Sequence, residues 1–279
     1  QYFLEEARFG YDQKTHKIEV GKPIGQFYGY KTLGLYQVED FDYNAKDQTY
    51  TLKEGIPYMS GTFNRSDIRP GMWKFDDRNG DKVIDDSDMS VIGNANPDFY
   101  GGLNNQFKYK GWDFNFFFTF SYGGEVLNAT KLTNTKTATT NYSVLNIADS
   151  SNRWMTVNSE GQLITDPEEM AAINAGRTVA CIYDMEAGDK YIHSWAVEDA
   201  SYLRLSNVNL GYTFDRKKLR NFNIQSLRLY FTGSNLFVWT PYSGFDPEVS
   251  TKGNNLTPGV DYGAYPRNRS YVFGLNITF

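Results

Sequence analysis

The segment WDFNFFFTFSY, from Trp112 to Tyr122, constrains the fold more than any other part of the chain. Seven of its eleven residues are aromatic, and six of those recur at every second position. Side chains alternate across a β-strand, so these six share one side, while the other side carries mostly polar residues such as Asp113 and Asn115. The segment is therefore predicted to be a strand with one fully apolar face. That face packs either in the core of a sandwich or against lipid.

Four more segments alternate in the same way, and they read FYGGLNNQFKYKG, VNLGYTF, LRLYFTGSNLF and YVFGLNITF. Such runs reach about 9–11 residues or more, which is the length a tilted strand needs to cross a bilayer. Strands of soluble proteins more often have about 5–6 residues. Lys110-Gly111 separates the first of these segments from the aromatic one, which predicts a hairpin with a very short turn.

Short and long connections alternate between these predicted strands. Antiparallel strands would then have short turns at one end and long loops at the other, which is typical of a membrane β-barrel. The short connections are Lys110-Gly111 and the stretch from Asp215 to Ser226, and the long ones are 37–98, 123–200 and 239–270.

One long loop is predicted to contain a short helix, in the stretch DPEEMAAINAG. Asp166 is a good N-cap, Pro167 suits the first helical position, and Gly176 suits the end of the helix.

Composition excludes several classes of function. The 279 residues have a formal net charge of −5, which gives no general attraction to nucleic acid. Cys181 is the single cysteine, so no internal disulfide framework exists. No apolar run approaches the roughly 18 residues of a membrane helix. The chain begins without an initiator methionine, and we expect it to be a fragment or a mature segment.

The acidic stretch DDRNGDKVIDDSD matches the spacing of an EF-hand-type calcium loop. Calcium favours several oxygen ligands, and this spacing lets one loop surround the ion. Two positions depart from the pattern, because Lys82 stands where glycine is usual and the last ligand is an aspartate rather than a glutamate. A solvated turn is the alternative, and a bound Ca²⁺ would stiffen the loop rather than catalyse. The predicted ligands are Asp77, Asn79, Asp81, the carbonyl of Val83, Asp85 and Asp88.

Six segments, taken in order, resemble the C-terminal part of SusC/RagA-type TonB-linked outer-membrane transporters. They are VGKPIGQFYGYKTLGLYQ, PGMWKFDDRNGDKVID, IGNANPDFYGGLNNQFKYKGWDFNFFFTFSYGG, SYLRLSNVNLGYTF, LRLYFTGSNLFVWTPYSGFDPE and GLNITF. The resemblance covers most of the chain, whereas the loops at about 37–65 and 125–195 match little.

The resemblance implies an all-β fold, an antiparallel transmembrane β-barrel of about 22 strands with long extracellular loops. Residues 1–279 would be the C-terminal part of that barrel, with the plug and the N-terminal strands outside this chain. The whole protein would import oligosaccharides or peptides through the bacterial outer membrane. Its partners would be a SusD-like surface lipoprotein, TonB through the missing N-terminal part, and the outer-membrane lipid.

Two smaller features agree with the resemblance. Gly274, Ile277 and the terminal Phe279 fit the pattern of an outer-membrane assembly signal, although an alternating edge strand would look similar. The sequence Asp246-Pro247-Glu248 matches a family motif, for which we predict a structural role, and Gly244 is expected to permit the turn before it.

No catalytic constellation is present, and the chain is predicted not to be an enzyme. His16 and His193 lie far apart in the sequence and are predicted to be surface or loop residues. Nucleophile-elbow, P-loop and zinc-protease motifs are absent. Adjacent acidic residues such as Asp76 and Asp77 do not by themselves predict a glycosidase, because that reaction needs two carboxylates that face one glycosidic bond.

Aromatic residues in the long loops allow two interpretations. Some can stack on sugar rings, whereas those at strand ends suit the aromatic girdle of a membrane barrel. The girdle is favoured for Trp112, Tyr122, Trp239 and Tyr242. The loop aromatics under consideration are Trp73, Trp154, Trp195, Trp239, Tyr242 and Tyr262.

Two other functions remain open from the sequence. A soluble β-sandwich carbohydrate-binding module with a calcium-stiffened loop would require the aromatic faces to oppose each other across a dry core. A glycan hydrolase is the other alternative, and the absence of a catalytic constellation argues against it.

Overall fold

The computed structural model describes residues 2–6, 14–135, 144–182, 191–219, 223–251 and 255–279. The chain forms two compact units. The mixed unit comprises Gln1–Ala95, Leu127–Val197 and Ser250–Gly263. The sheet unit comprises Asn96–Val126, Glu198–Val249 and Ala264–Phe279. The assignment of all 279 residues to one barrel concerns the complete protein and stays a prediction.

Strands are the commonest regular element in both units. The strands are β1 (Tyr2–Glu6), β2 (Lys14–Glu19), β3 (Gln26–Gly29), β4 (Thr32–Leu35), β5 (Phe41–Asn44), β6 (Thr49–Leu52), β7 (Trp73–Phe75), β8 (Ser90–Asn94), β9 (Phe99–Tyr109), β10 (Trp112–Tyr122), β11 (Glu125–Asn128), β12 (Val197–Asp199), β13 (Tyr202–Thr213), β14 (Ser226–Trp239), β15 (Val260–Asp261) and β16 (Ser270–Thr278). The α-helices are α1 (Ala129–Asn134), α2 (Pro167–Asn174) and α3 (Arg216–Leu219). Short 3₁₀ turns occur at Val38–Asp40, Arg65–Asp67, Asp86–Asp88, Asn146–Ala148 and Ser194–Ala196.

The sheet unit is built on one antiparallel sheet in the order β16-β14-β13-β10-β9. These five strands contain 9, 14, 12, 11 and 11 residues in that order. They are long because the period-two alternation of each segment extends over most of the strand, although the register shifts where Phe117 and Phe118 pair with Asn207 and Leu205. The fold is therefore a mostly antiparallel β fold with few helices, and the strands of this sheet have membrane-spanning length.

The predicted hairpin between β9 and β10 is confirmed. Trp112 pairs with Tyr109, and the two turn residues Lys110 and Gly111 both have positive φ, at 42° and 88°. Positive φ at both central positions is the signature of a type I′ turn, whose twist matches that of the flanking strands.

The mixed unit contains small sheets and two apolar cores. One sheet has the order β1-β2-β3-β8, and β4 pairs with β7 and β5 with β6. The larger core includes Leu35, Tyr36, Phe41, Trp73, Phe75, Trp154 and Met170, and the smaller one includes Phe27, Leu127, Leu132, Ile192 and Val260. Most residues of the predicted long loops 37–98 and 123–200 therefore fold into a compact unit of their own.

Helix α2 follows the sequence prediction closely. It begins with Pro167, and the Asp166 side chain accepts hydrogen bonds from the backbone N–H groups of Glu168 and Glu169. Gly176 has a φ of 78° just beyond the helix, which glycine adopts without the penalty that a Cβ would add. Among the described residues, no helix is long and apolar enough to cross a membrane.

Candidate functional site

The two faces of the five-stranded sheet differ sharply in chemistry. One cross-strand row contains Phe107, Phe114, Leu210, Phe231 and Phe273 in register, so an apolar band crosses all five strands. The next row belongs to the opposite face and contains Gln106, Asn115, Asn209, Thr232 and Val272. A one-residue step along the strands therefore exchanges an apolar surface for a mostly polar one.

The apolar face is not buried in a protein core. Phe273 is 81% exposed, Phe107 56% and Leu229 46%. A soluble sandwich would bury such residues against a second sheet, and these exposures contradict that alternative. A continuous exposed apolar face of this width suits contact with lipid.

Aromatic residues mark both ends of the apolar face. At the hairpin end, the Trp112 ring packs against Tyr212 at a tilt of 47°, with ring centroids 4.8 Å apart. At the other end, Phe99 stacks on Tyr122 at 5.2 Å, and Trp239 is 53% exposed. This arrangement agrees with the girdle interpretation for Trp112, Tyr122 and Trp239.

The girdle prediction is wrong for Tyr242, which is only 5% exposed. Its ring packs against Gly244, where an added Cβ would lie 2.4 Å from Tyr242 Cε1. The strand ends at Trp239 and the chain then turns inward, so the strand alternation no longer places Tyr242 at the surface.

The polar face carries a network of side-chain hydrogen bonds. Thr232 Oγ1 donates to Asn209 Oδ1 at 2.7 Å, and Asn115 Nδ2 donates to Asn104 Oδ1 at 2.8 Å. Arg228 forms an ion pair with Asp113, with Nη2 2.6 Å from Oδ2. Beside the hairpin, this ion pair helps to line a cavity of about 600 Å³. The face is suited to contact with water and polar solutes rather than with hydrocarbon.

A buried ion cluster lies where the loop after β14 meets β13. Arg204 Nη2 lies 2.6 Å from Asp246 Oδ1, and both residues are less than 5% exposed. Arg204 Nε also lies 2.9 Å from Glu248 Oε2, and Arg267 Nη1 lies 3.1 Å from the same oxygen. The Asp246-Pro247-Glu248 motif thus fixes its loop to a strand of the sheet, which agrees with the structural role predicted for it.

The acidic loop wraps around its own side chains. Asp77 accepts hydrogen bonds from the N–H groups of Gly80 and Lys82, at 2.8 and 2.9 Å. Asp88 is fully buried and accepts from the N–H groups of Arg78 and Asp85, at 2.8 and 3.0 Å. The carboxylates therefore stabilise the turn even without an ion.

Other residues of the loop complete this arrangement. Asn79 Oδ1 accepts from Asp81 N, Asp81 Oδ1 accepts from Val83 N, and both bonds are 2.8 Å long. The Asp85 carboxylate accepts hydrogen bonds from Ser87, and these bonds lower the pKa of the Asp85 carboxyl. Ile84 is 3% exposed and anchors the loop in the core of the mixed unit.

Lys82 occupies the sixth position of the loop with a φ of 69°. A left-handed conformation at this position is what glycine normally supplies in a calcium loop, so the backbone path is kept despite the lysine. Within the described ranges, however, no three His, Cys, Asp or Glu side chains converge in a way that could hold a metal ion. Calcium binding stays a prediction.

The histidine prediction is wrong, because His16 and His193 are both fully buried. Burial lowers the pKa of His16 to about 4 and that of His193 to about 3. His16 Nε2 donates to the Pro258 carbonyl at 2.9 Å, since a carbonyl can only accept. Their separation in the sequence does not indicate exposure, because the aromatic neighbours Phe27, Trp73 and Phe75 bury them in the folded chain.

The loop aromatics have different environments. Trp154 is 2% exposed, and its ring packs on Gly71, where a Cβ would lie 2.3 Å from Trp154 Cγ. Trp73 is also buried, whereas Trp195 is half-buried and Tyr262 is 38% exposed. Trp154 is therefore a core residue of the mixed unit.

Known proteins resemble the chain in sequence over most of its length. TonB-dependent receptor P3 of Formosa agariphila is 34% identical over 283 residues, covering 99% of this chain and 24% of the receptor. TonB-dependent receptor SusC of Bacteroides thetaiotaomicron is 29% identical over 206 residues, covering 74% of this chain and 17% of SusC. The chain spans about a quarter or less of the length of these curated relatives. No protein-family model matches it.

The fold also resembles a solved transporter. The RagAB peptide transporter structure superposes with a TM-score of 0.58 at 17% identity, covering 100% of this chain and 24% of that chain. A second RagAB structure, in the closed-closed state, gives the same TM-score at 19% identity. By its relatives, the chain belongs to the TonB-dependent receptors, SusC among them, as the sequence resemblance predicts.

Proposed function

We propose that the chain forms part of the wall of a TonB-dependent importer in the bacterial outer membrane. The observation that carries this proposal is the two-faced sheet, whose exposed apolar rows alternate with hydrogen-bonded polar rows over five long strands. In such a wall the apolar face would contact lipid, and the polar face would contact a water-filled path. The relatives are named as receptors, and none of those reported above is named as an enzyme.

The complete protein would take up oligosaccharides or peptides with energy relayed by TonB and together with a SusD-like lipoprotein. These substrates and partners are carried over from the resemblance, and the likeness of the fold to a peptide transporter is compatible with them. The barrel would contain about 22 strands, of which the sheet unit supplies five.

We test this function by deleting the gene that encodes the complete receptor in its host. Membrane fractions of the wild type should contain the receptor in the outer membrane, and an affinity tag on it should recover a surface lipoprotein. Growth on one class of oligosaccharide or peptide should fail in the deletion strain and in a strain without TonB, and should return when the gene is restored. Recovery of the receptor in a soluble fraction would contradict the proposal.

We further propose that the acidic loop binds Ca²⁺ in a structural role. The support is the ligand spacing of Asp77, Asn79 and Asp81, together with the left-handed backbone at Lys82. Bound calcium would draw the carboxylates together and stiffen the loop that Ile84 anchors.

A further inference from the structure

The short turns of the sheet unit carry a concentration of positive charge that the proposed function does not explain. The connection after β13 begins FDRKKLR, and four of its residues 215–220 are cationic. The neighbouring β9–β10 turn adds Lys110. The side chains of Lys110, Arg216 and Lys217 are exposed, and within the described residues none of them forms an ion pair. These three residues form the basic edge of the sheet unit.

Backbone hydrogen bonds hold the two turns on the same edge of the sheet. The N–H group of Thr213 donates to the Gly111 carbonyl at 2.8 Å, which joins the end of β13 to the β9–β10 turn. Helix α3 packs against β14, and its last residue, Leu219, is only 6% exposed. The buried leucine anchors the helix that carries Arg216 and Lys217, so these cations have a defined place in the fold.

The carboxylates near the basic edge already have partners. Asp215 Oδ1 accepts a hydrogen bond from the backbone N–H of Lys217 at 2.9 Å, and Asp113 is paired with Arg228. The opposite end of the sheet has the reverse balance of charge, because acidic residues outnumber basic ones there. The charged residues at that end are Asp98, Glu125, Glu198, Asp199, Arg204, Asp246, Glu248, Arg267 and Arg269. Unneutralised positive charge is therefore concentrated at the short-turn end.

The basic edge directly continues the exposed apolar face. Lys110 Nζ lies 5.1 Å from the ring centroid of Tyr109, and the Tyr212 ring contacts Phe214 at 4.8 Å on the way into the second turn. A strand advances about 3.3 Å per residue, so the cations lie within roughly 10 Å of the aromatic row that contains Trp112. Aromatic girdles lie at the level of the lipid headgroups. The basic edge is thus expected at the depth of the lipid phosphates.

We propose that the basic edge binds the phosphates of anionic glycerophospholipids in the periplasmic leaflet. A phosphodiester carries a negative charge and accepts charge-assisted hydrogen bonds from lysine and arginine. The apolar face beside the basic edge would contact the acyl chains of the same lipid, so headgroup and tails meet matching surfaces. The inference rests on the proposed function, in which the short turns face the periplasm.

Lipid binding by the complete receptor in detergent micelles tests the basic edge. Native mass spectrometry measures the affinity for phosphatidylglycerol and for phosphatidylcholine with the same acyl chains. The wild type should prefer phosphatidylglycerol. Arg216→Gln and Lys217→Gln should each weaken its binding about fivefold, equivalent to about 1 kcal/mol, and a triple variant with Lys110→Gln should weaken it at least about tenfold. Affinity for phosphatidylcholine should not change.

Lys108→Gln is the matched control, because Lys108 is an exposed lysine at the same end of the sheet but belongs to its polar face. It removes the same charge and should leave the affinity for phosphatidylglycerol unchanged. Raising the salt concentration from about 0.1 M to about 1 M shortens the Debye length from about 10 Å to about 3 Å and should reduce the lipid preference of the wild type. Near-ultraviolet circular dichroism should show that all variants are folded.

Failure of the basic edge and failure of the import function give different results. A receptor that resides in the outer membrane but binds both lipids equally would overturn the basic edge alone. An equal loss of affinity in Lys108→Gln and Lys217→Gln would also overturn it, because net charge would then explain the binding. If the wild type shows no lipid preference and Lys217 cross-links to a soluble periplasmic protein, the partner is a protein and the lipid assignment is wrong. Recovery of the receptor in a soluble fraction would overturn the import function, and the lipid site with it.

Discussion

Arg228 on β14 reaches across β13 to Asp113 on β10, with Nη2 2.6 Å from Oδ2. The ion pair passes over Gly211, where an added Cβ would lie 2.4 Å from Arg228 Nη2 and 2.6 Å from Asp113 Oδ1. The absence of a side chain at Gly211 therefore allows two strands that do not pair with each other to be joined on the polar face.

Gly211→Ala should break this connection. The methyl group would displace the guanidinium or the carboxylate, and overpacking of this kind costs about 1–3 kcal/mol. We expect a lower thermal unfolding temperature for the complete receptor in detergent. Gly61→Ala is the control, because a Cβ there would meet no atom within 4 Å. The cost of Gly211→Ala should shrink in an Asp113→Ala, Arg228→Ala background, and an equal cost in both backgrounds would contradict this explanation.

The sequence predicted the sheet unit well because one signal governs it. Period-two alternation over long segments determines which residues share a face, as the row from Phe107 to Phe273 shows. The hairpin turn and helix α2 were also predictable, because Gly111 and Asp166 act within a few residues of their own positions. The expectation of a barrel with about 22 strands came from the resemblance alone, and it stays a prediction.

The mixed unit was not predictable in this way. Its strands have at most 6 residues, too few for a clear period, and its cores join residues far apart in sequence, such as Tyr36 and Trp154. Burial of His193 depends on Trp73 and Trp195, which approach it only after folding. The sheet unit has a similar case, because the ion-pair partner of Asp246 is Arg204, which lies 42 residues away in the sequence. Such contacts leave no local pattern.

Removal of Arg204 should destabilise the sheet unit more than removal of Arg267. Arg204 is buried with Asp246, so Arg204→Met would leave the buried Asp246 carboxylate with only the more distant Arg267, whose Nε lies 3.8 Å from Oδ2, at a cost of about 3 kcal/mol. The Arg267 side chain is 47% exposed, so Arg267→Met should cost no more than about 1 kcal/mol. The rate of limited proteolysis near Asp246 would measure how readily the loop after β14 detaches from β13. Equal cleavage rates in the two variants would contradict this ranking.

Acidification should destabilise the mixed unit through its two histidines. Both are neutral when folded, because burial lowers their pKa to about 4 for His16 and about 3 for His193. The unfolded chain takes up protons below a pKa of about 6.5, so stability is complete above that pH and falls as the pH drops toward the folded values. At pH 5 each histidine should cost about 2 kcal/mol.

The variant His193→Phe should reduce this pH dependence. The new ring would still pack against Trp73, Phe75 and Trp195, and it cannot take up a proton. As the pH falls from 7 to 5, the unfolding temperature of the wild type should fall further than that of the variant. A variant with the same pH slope as the wild type would show that His193 does not contribute.

Calcium binding by the acidic loop can be measured directly. Calorimetry on the complete receptor should detect a Ca²⁺ site that is lost in Asp77→Asn, Asp81→Ala. Lys82→Gly should keep the site and stabilise the loop by about 1 kcal/mol, because glycine adopts the left-handed conformation of this position without a Cβ clash. Equal metal content in the wild type and the double variant would exclude this loop as the binding site.

The lipid-facing assignment can be tested with neighbouring residues near the middle of β9. Leu103 belongs to the apolar face and is 55% exposed, whereas Asn104 belongs to the polar face and bonds to Asn115. A lysine that faces lipid costs about 2–4 kcal/mol at the bilayer midplane, so Leu103→Lys should reduce the amount of receptor folded in outer membranes. Asn104→Lys places the same charge on the polar face and should lose only one hydrogen bond, about 1 kcal/mol. Both variants share the strand, the depth and the added charge, so a difference between them reports the environment of the face alone. If Leu103→Lys assembles as well as Asn104→Lys, the apolar rows do not face lipid.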